Sequence, residues 1–553
     1  MSPIQYQSGH TVHPLIEAEE TYAAIERAIA EAEREVFMAY WSLAPDLDLV
    51  TDRADDWEAL LEGALQRGIR FNILLADFDP VFTFPMHRDA WRTFWRLSGL
   101  ARAEGVKAGA LQVICSQNPA RPNLPERIMG NLAATGEIAS IVDRLNDEYA
   151  AGNAAPEDIL KTVPGMWRHL DIRDGRMVRR WFRPAELLPG SHHEKLCIVD
   201  RDVAFVGGLD IGERRFDTLD HDSDFPWHDL ACRVEGPAVD LLTAHFIDRW
   251  NVELADFHRY LDRLPEHGPA IGFPRDHLHE LEDAPRRGGP DMATWQGSGE
   301  VAVIASSARN EGPGGPAGDL DIGHLPDGVR DLILRAERFI YIETQFLREP
   351  LVADWLIRAA EQHPELEVII LVPRAPEILE PDGDWSIATK HGQWLQYRSI
   401  DRLKQALGAR FGAYTLVSRQ HEEPDDEPEH TALGAKGVYV HAKTIIVDDL
   451  HAMVGSANLN GRSFRLDTET AILWTQPDAV RHFRQRLWQL HLGTLLPDSH
   501  DPLETPSLPV WNRAAEANAR ARTEHRPGFA IPFRDEWASL NAVKSRLIRD
   551  RYV

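Results

Sequence analysis

One short pattern occurs twice in this chain of 553 residues, and a chain that repeats itself in this way folds as related units packed together. His193-Glu194-Lys195 is followed, after four residues, by Asp200. His441-Ala442-Lys443 is followed, after four residues, by Asp448. Each copy then enters a small-residue turn, Gly207-Gly208-Leu209-Asp210 and Gly455-Ser456-Ala457-Asn458, so the match runs ungapped over eighteen positions. Composition argues against coincidence: of 60 basic residues only 8 are lysines, and two of those 8 lie in the motifs.

The surrounding sequence repeats a coarser grammar. A helical pattern from Ile16 to Arg34 runs into the apolar stretch Val36–Trp41, and a second from Trp57 to Gln66 turns at Gly68 into Ile69–Leu75. In the second half, Val329–Arg338 feeds Phe339–Ile342, and Leu351–Gln362 feeds Leu366–Val372. Helices alternating with continuous apolar strands predict an α/β fold in two similar lobes, each a mixed, mostly parallel β-sheet flanked by helices. The stretch Leu264–Gly299, rich in Pro, Gly, Asp and His, reads as a linker, which divides the chain into residues 1–280 and 281–553. Phe339 precedes His441 by 102 positions and Val36 precedes His193 by 157, so the first half carries a surplus. We expect it as a helical insert at about 80–168, where Arg88–Ala103 and Met129–Tyr149 look helical. The acidic run His421–His430 and the stretch Gly312–Pro316 read as loops.

No run of eighteen apolar residues is present, and Met1–Pro14 lacks the basic flank and apolar run of a secretory signal. The expectation is a soluble cytoplasmic protein, working peripherally where it meets a membrane. Cys115, Cys197 and Cys232 are odd in number and lie in or beside apolar runs, which suits reduced, buried thiols. The net charge of −27 opposes gripping a polyanion along its length, so no nucleic acid partner is expected, and it weakens attachment to acidic lipid.

Residues two apart on a strand share a face, so His193 with Lys195 and His441 with Lys443 can each meet one ligand. Two such pairs are what is needed to attack a phosphodiester and hold its charge. Asp200 and Asp448, five positions beyond the lysines, face the other way and suit a structural or orienting part. A histidine nucleophile needs a carboxylate on its far nitrogen to select the tautomer and steady the cation. Asp229, in Pro226-Trp227-His228-Asp229, and Glu469, in Asp467-Thr468-Glu469, are the candidates, one downstream of the motif in each half.

These residues resemble the phospholipase D superfamily, whose signature is the duplicated His-x-Lys-x4-Asp motif. Residues 192–210, Pro226–Asp229, Phe246–Asn251, Tyr341–Phe346 and Val438–Asp449 look like the catalytic core of eukaryotic-type phospholipases D. The resemblance implies a pseudo-twofold fold and a two-step displacement at phosphorus. His193 would form a phosphohistidine, His441 would protonate the departing alcohol, and Lys195 and Lys443 would neutralise the non-bridging oxygens. It further implies a catalytic set of His193, Lys195, Asp200, His441, Lys443, Asp448, Asp229 and Glu469, with phosphate contacts at Gly208, Asp210, Ser456 and Asn458. The lysines would do the electrostatic work of a divalent ion, so no metal and no cofactor is expected. The first turn departs from the pattern, with Gly208 and Asp210 where many members have Ser and Asn. No amino-terminal lipid-targeting or calcium-binding domain is expected in residues 1–29.

The activity so implied is hydrolysis of a glycerophospholipid, at a membrane surface, to phosphatidic acid and a free head group, with water or an alcohol as acceptor. Cardiolipin synthase-like phosphatidyl transfer is the nearest alternative, followed by a superfamily nuclease or a catalytically silent lipid-binding relative. Either a monomer or a homodimer is compatible with a site built by one duplicated chain.

Overall fold

A computed structural model describes residues 4–152, 155–181, 183–264, 271–282, 299–307, 322–374, 386–418, 437–493, 506–520, 529–534, 542–545 and 548–553. Seven strands form the first sheet, in the spatial order Gln7–Ile16, Leu230–Glu235, Val203–Gly207, Leu196–Val199, Glu35–Tyr40, Arg70–Asp77 and Leu111–Gln117. Seven more, in the same relative places, form the body of the second: Gly299–Ser306, Glu469–Thr475, His451–Gly455, Lys443–Val447, Phe339–Thr344, Glu367–Leu371 and Phe411–Val417, with the short strands Gly323–His324, Gly437–Val440 and Ala530–Pro532 added at its ends. The duplicated motif brackets equivalent strands in the two, Leu196–Val199 and Lys443–Val447. Strands such as Glu35–Tyr40 and Phe339–Thr344 are buried at every position, as a sheet covered on both faces requires. One apolar cluster draws residues from both halves, including Trp250 from the first and Trp488 from the second.

The sheets are mixed, but antiparallel pairings predominate, which corrects the expectation of mostly parallel ones. Parallel neighbours occur where a helix provides the crossover, as Trp57–Gln66 does between Glu35–Tyr40 and Arg70–Asp77. The motif strands instead close tight hairpins, whose turns leave no room for a crossover. The strand Gln7–Ile16 is an addition to the sequence reading: it ends where the helical pattern expected from Ile16 begins. Its first residues pair with Gly299–Ser306 and the rest with Leu230–Glu235, so it stitches one sheet to the other.

Two further expectations change. The strand Leu111–Gln117 holds the place that Phe411–Val417 holds in the second sheet, so the surplus of the first half falls after Gln117 and not from residue 80. It comprises the helix Leu124–Ala150, the short helix Pro156–Lys161 and the hairpin Leu170–Arg173/Arg176–Arg179. Within the expected linker, residues 271–282 pack on the first half: Trp250 Nε1 donates to the His279 carbonyl at 3.0 Å and Asn251 Nδ2 to that of Leu281 at 2.9 Å. Residues 265–270 and 283–298 of that stretch, His421–His430 and Gly312–Pro316 lie outside the described residues. We propose dividing the chain near residue 280, since strands of the first sheet end at Glu235 and the second begins at Gly299.

Asp200 and Asp448 stand at the hairpin turns, at the far end of their strands from the lysines. The central turn residues, Asp200 with Arg201 and Asp448 with Asp449, all have positive φ, the conformation of a tight hairpin turn. The Asp200 carboxylate accepts from the backbone N–H of Glu33, Arg34 and Glu35 at 2.8, 2.7 and 2.9 Å. That of Asp448 accepts from Glu337, Arg338 and Phe339 at 2.8, 3.0 and 2.8 Å. Both therefore fasten a turn to the entry of a neighbouring strand, and their place among the catalytic residues is corrected accordingly. Asp200→Ala or Asp448→Ala leaves three N–H groups without their acceptor, so each is expected to cost about 2–3 kcal/mol. A shift of the urea unfolding midpoint measures this, and an unshifted midpoint contradicts the assignment.

Candidate active site

Among the places where the two halves meet, two short seams each carry one motif histidine. In the first, Trp227 and His228 run parallel to Tyr439 and Val440, and His441 N–H donates to the His228 carbonyl at 2.8 Å. In the second, His192 bridges Thr468, and His193 N–H donates to the Thr468 carbonyl at 2.9 Å. Because each seam sets a motif against the opposite half, the carboxylates are crossed. Asp229 Oδ2 lies 2.6 Å from Nδ1 of His441, and the Glu469 oxygens lie 3.0 and 3.1 Å from Nδ1 of His193. Asp229 and Glu469 are equivalent positions, each two residues before an alanine paired to the motif's first turn glycine: Ala231 to Gly207 and Ala471 to Gly455. Among the described residues neither Nε2 has a hydrogen-bond partner, which leaves both free for a reacting group.

The lysines are held alongside. Lys195 Nζ donates to the His193 carbonyl at 2.8 Å, and Lys443 Nζ donates likewise to that of His441. Lys195 pairs with Asp210 Oδ2 at 3.3 Å, both side chains being buried. Burial, helped by the lysine charges, holds both imidazoles well below their ordinary pKa. The Lys443 charge acts on His193 and the Lys195 charge on His441, so both halves bear on one electropositive space. Burial lowers Lys443 to about 7, with Asp229 opposing and Lys195 reinforcing. The two carboxyls are pushed up by burial, Asp229 to about 7, against the lysines. Ser456 and Ser463 hydroxyls aim at the two Glu469 oxygens at 2.5 and 2.6 Å, an arrangement that suits the ionised acceptor.

Residues 329–491 match the family described as "Cardiolipin synthase, PLD-like domain". The "Phospholipase D1" of Saccharomyces cerevisiae is 24% identical over 430 residues, covering 62% of this chain and 24% of that protein. The "Phospholipase D alpha 1" of Vigna unguiculata is 27% identical over 425 residues, 57% of this chain and 50% of the relative. A crystal structure of phosphatidylserine synthase from Haemophilus influenzae superposes with a TM-score of 0.50 at 12% identity, covering 95% of this chain and 97% of the other, which establishes the shared fold. The chain belongs to the phospholipase D superfamily. It spans about half the length of the plant relatives it matches and about a quarter of the yeast one.

Against the superfamily signature, the expected phosphate contacts are the main departure. A Cβ on Gly208 would lie 2.1 Å from Asp229 Oδ1, so this position is bare because the carboxylate occupies its side-chain space. Asp210 is taken up by Lys195 and by the Ser42 N–H at 2.9 Å. The Ser456 hydroxyl is committed to Glu469, and Asn458 Nδ2 donates to Gln345 Oε1 at 2.9 Å. Buried charges must be paired and hydrogen-bonded, and Gly208, Asp210 and Ser456 serve that requirement, whereas Asn458 joins the neutral Gln345 through Nδ2 only.

Several residues of the site were not foreseen. Trp41 lies edge-on to the His193 ring with centroids 6.2 Å apart, and Trp227 lies 4.8 Å from that of His441. Both line a cavity of about 540 Å³, together with Phe78, Met86, Phe225 and Tyr439. Trp227 stands two residues before Asp229 and Tyr439 two before His441, a local signal that would have found those two, whereas Trp41 lies far from either motif in sequence and carries none. Glu194, inside the first motif, accepts from Thr470 Oγ1 of the other half at 2.6 Å and is held ionised by Arg249 and His245 against the effect of burial. Behind the site, the donor atoms of Glu17, His221 and His228, and of His228, Glu343 and His491, lie within 4.8 Å of one another, as metal ligands do. The ring nitrogens of His228 already face two different carboxylates, Glu17 and Glu343. Burial would discharge it, yet those carboxylates raise its pKa well above the ordinary value, so it serves as an ion-pair bridge between the halves.

Gly208→Ala displaces the Asp229 carboxylate from His441, and a misplacement of about 1 Å costs on the order of 100-fold in rate. Turnover should fall by that order with an unchanged circular dichroism spectrum, and wild-type turnover in this variant would refute the crossed arrangement. The pH profile gives a second test. Lys443 is cationic below about 7 and neutral above it, so kcat/KM, which reports the free enzyme, should decline as pH rises through that value. In Lys443→Arg, whose guanidinium keeps its proton, this alkaline limb should move out of the neutral range whatever the absolute rate. An unmoved limb assigns it to another group.

Proposed function

We propose that the protein is a phospholipase D-type phosphodiesterase that transfers the phosphatidyl group of a glycerophospholipid to water, giving phosphatidic acid and the free head group, or to an alcohol. The observation that carries this reading is the pair of imidazoles, each with Nδ1 on a buried carboxylate of the opposite half and Nε2 unencumbered, flanked by two lysines. The cavity that shares Trp41 and Trp227 with their surroundings, lined also by Phe78, Phe225 and Tyr439, suits the apolar part of a lipid substrate.

In the first step His193 Nε2 attacks phosphorus. The P–N bond forms as the bond to the head-group oxygen breaks, and His441 Nε2 gives its proton to that oxygen. In the second step His441 takes a proton from water or alcohol, whose oxygen attacks phosphorus and breaks the P–N bond. Lys195 and Lys443 stabilise the charge that gathers on the non-bridging oxygens. Burial and the lysines keep both imidazoles neutral without a ligand, as the nucleophile requires. A bound phosphodiester anion brings negative charge into the same space and raises the proton affinity of His441, which equips it as the acid. Glu469 and Asp229 fix the tautomers and support the imidazolium that forms on each side in turn.

A second reading, phosphatidyl transfer to a lipid alcohol, is favoured by the description of the family matched at residues 329–491. It uses the same residues and differs only in the acceptor. Purified protein incubated in chelator with mixed phosphatidylcholine and phosphatidylglycerol vesicles plus 1-butanol is expected to yield phosphatidylbutanol and phosphatidic acid. His193→Ala and His441→Ala should each lower the yield by about 10³-fold or more. Cardiolipin as the main product selects the second reading, and product formation that survives either substitution overturns both.

A further inference from the structure

The insert after Gln117 carries a surface that the catalytic reading does not use. Leu124, Ile128 and Leu132 recur at four-residue spacing along one flank of the helix Leu124–Ala150, with Met129 beside them, and they are 67, 56, 68 and 53% exposed. The face that packs inward is a different one, made by Ala134, Ile138, Ile141 and Leu145. Four large apolar side chains within nine residues, open to water, mark a contact surface.

The neighbouring hairpin is basic. Asn146 Nδ2 donates to the Met177 carbonyl at 2.8 Å, and Arg179 Nη1 donates to the Thr135 carbonyl at 2.8 Å, one turn beyond Leu132. Residues 168–183 hold six arginines and only two acidic residues, Asp171 and Asp174, in a chain whose net charge is −27. Arg173, Arg176 and Arg183 are exposed. Trp181, 65% exposed, lies under the Arg179 guanidinium, 4.4 Å from carbon to ring centroid. On the helix flank itself, Glu126 is engaged by Arg549, Arg551 and Tyr552, leaving Arg127 as the exposed charge of the first turns. The insert is also tied to the site: Asn118, at its start, donates to the carbonyls of Ser191 and Leu466 beside the second seam, at 3.0 Å each.

We propose that the apolar flank of the helix Leu124–Ala150, the arginine-rich residues 168–181 and Arg183 together form the surface by which the protein docks on an anionic lipid bilayer. The leucines and isoleucine enter the boundary between head groups and acyl chains, Trp181 sits at head-group level, and the exposed Arg173, Arg176 and Arg183 face lipid phosphates, while Arg168 and Arg180 are engaged by Glu186 and Asp171. A second copy of this chain is the poorer occupant, because an isologous contact over this face would bring two arginine-rich segments together. The surface also answers how so acidic a protein approaches an acidic membrane, since the local excess is positive where contact is made.

The test uses the full chain and needs no turnover, so it stands apart from the catalytic reading; His193→Ala protein should bind vesicles as wild type does. Co-sedimentation with vesicles of equal phosphatidylcholine and phosphatidylglycerol is compared with phosphatidylcholine alone. Wild type is expected to bind the anionic vesicles at least about 10-fold more tightly. The triple variant Leu124→Ser, Ile128→Ser, Leu132→Ser and the double variant Arg176→Glu, Arg183→Glu should each lose about 10-fold or more, with circular dichroism and activity on a soluble short-chain phosphodiester unchanged. Wild-type binding by both variants overturns the proposal. So does a wild-type dimer that becomes monomeric in the triple variant without any vesicle binding, which would assign the flank to a second copy.

Discussion

Everything in the site depends on an exchange: each half of the molecule supplies the carboxylate that orients the other half's histidine. Asp229 belongs to the first sheet and holds His441, and Glu469 belongs to the second and holds His193. Neither histidine is oriented by its own half, so docking of the sheets and assembly of the site are one event. The seams that carry these contacts are backbone pairings, with Thr468 against His192 and His228 against Val440, which fix the histidines before any side chain is considered. Around them the strand Gln7–Ile16 and the Glu17–His228–Glu343 bridge add further ties across the same boundary.

The exchange also explains why the turn residues are spent internally. A buried carboxylate beside a histidine is costly unless its lone pairs are used and its approach is clear. On one side Gly208 clears the approach for Asp229, and on the other Ser456 and Ser463 donate to Glu469. The two halves thus solve one requirement in two ways, which accounts for the departure of Gly208 and Asp210 from the sequence pattern of the second turn. Asp210 follows the same logic, compensating Lys195 where Asn458, a neutral residue, joins Gln345.

Much of this was legible in the sequence. The duplicated spacing located both motifs, the helix Trp57–Gln66 was read to its ends, and the apolar runs at Val36 and Phe339 are central strands. Asp229 and Glu469 were recognisable as carboxylates of the right kind. Their crossing was not, because partners 212 and 276 positions apart leave no local trace. The strand Gln7–Ile16 was obscured because its side chains show no clean alternation and it runs directly into a helix. The insert was placed too early because a helix and strand of the common core, Phe84–Leu100 and Leu111–Gln117, look no different in sequence from added elements. Four exposed apolar residues in the helix Leu124–Ala150 are likewise indistinguishable from core positions until burial separates them.

The claim on which this account turns is that both halves act on a single phosphorus. A crystal structure of the full chain soaked with orthovanadate tests it directly. The account predicts one vanadium per chain, with Nε2 of His193 and Nε2 of His441 on opposite sides of it and both lysines on its equatorial oxygens. Two vanadates in separate clefts, or one bound to a single histidine with the other turned away, would contradict it.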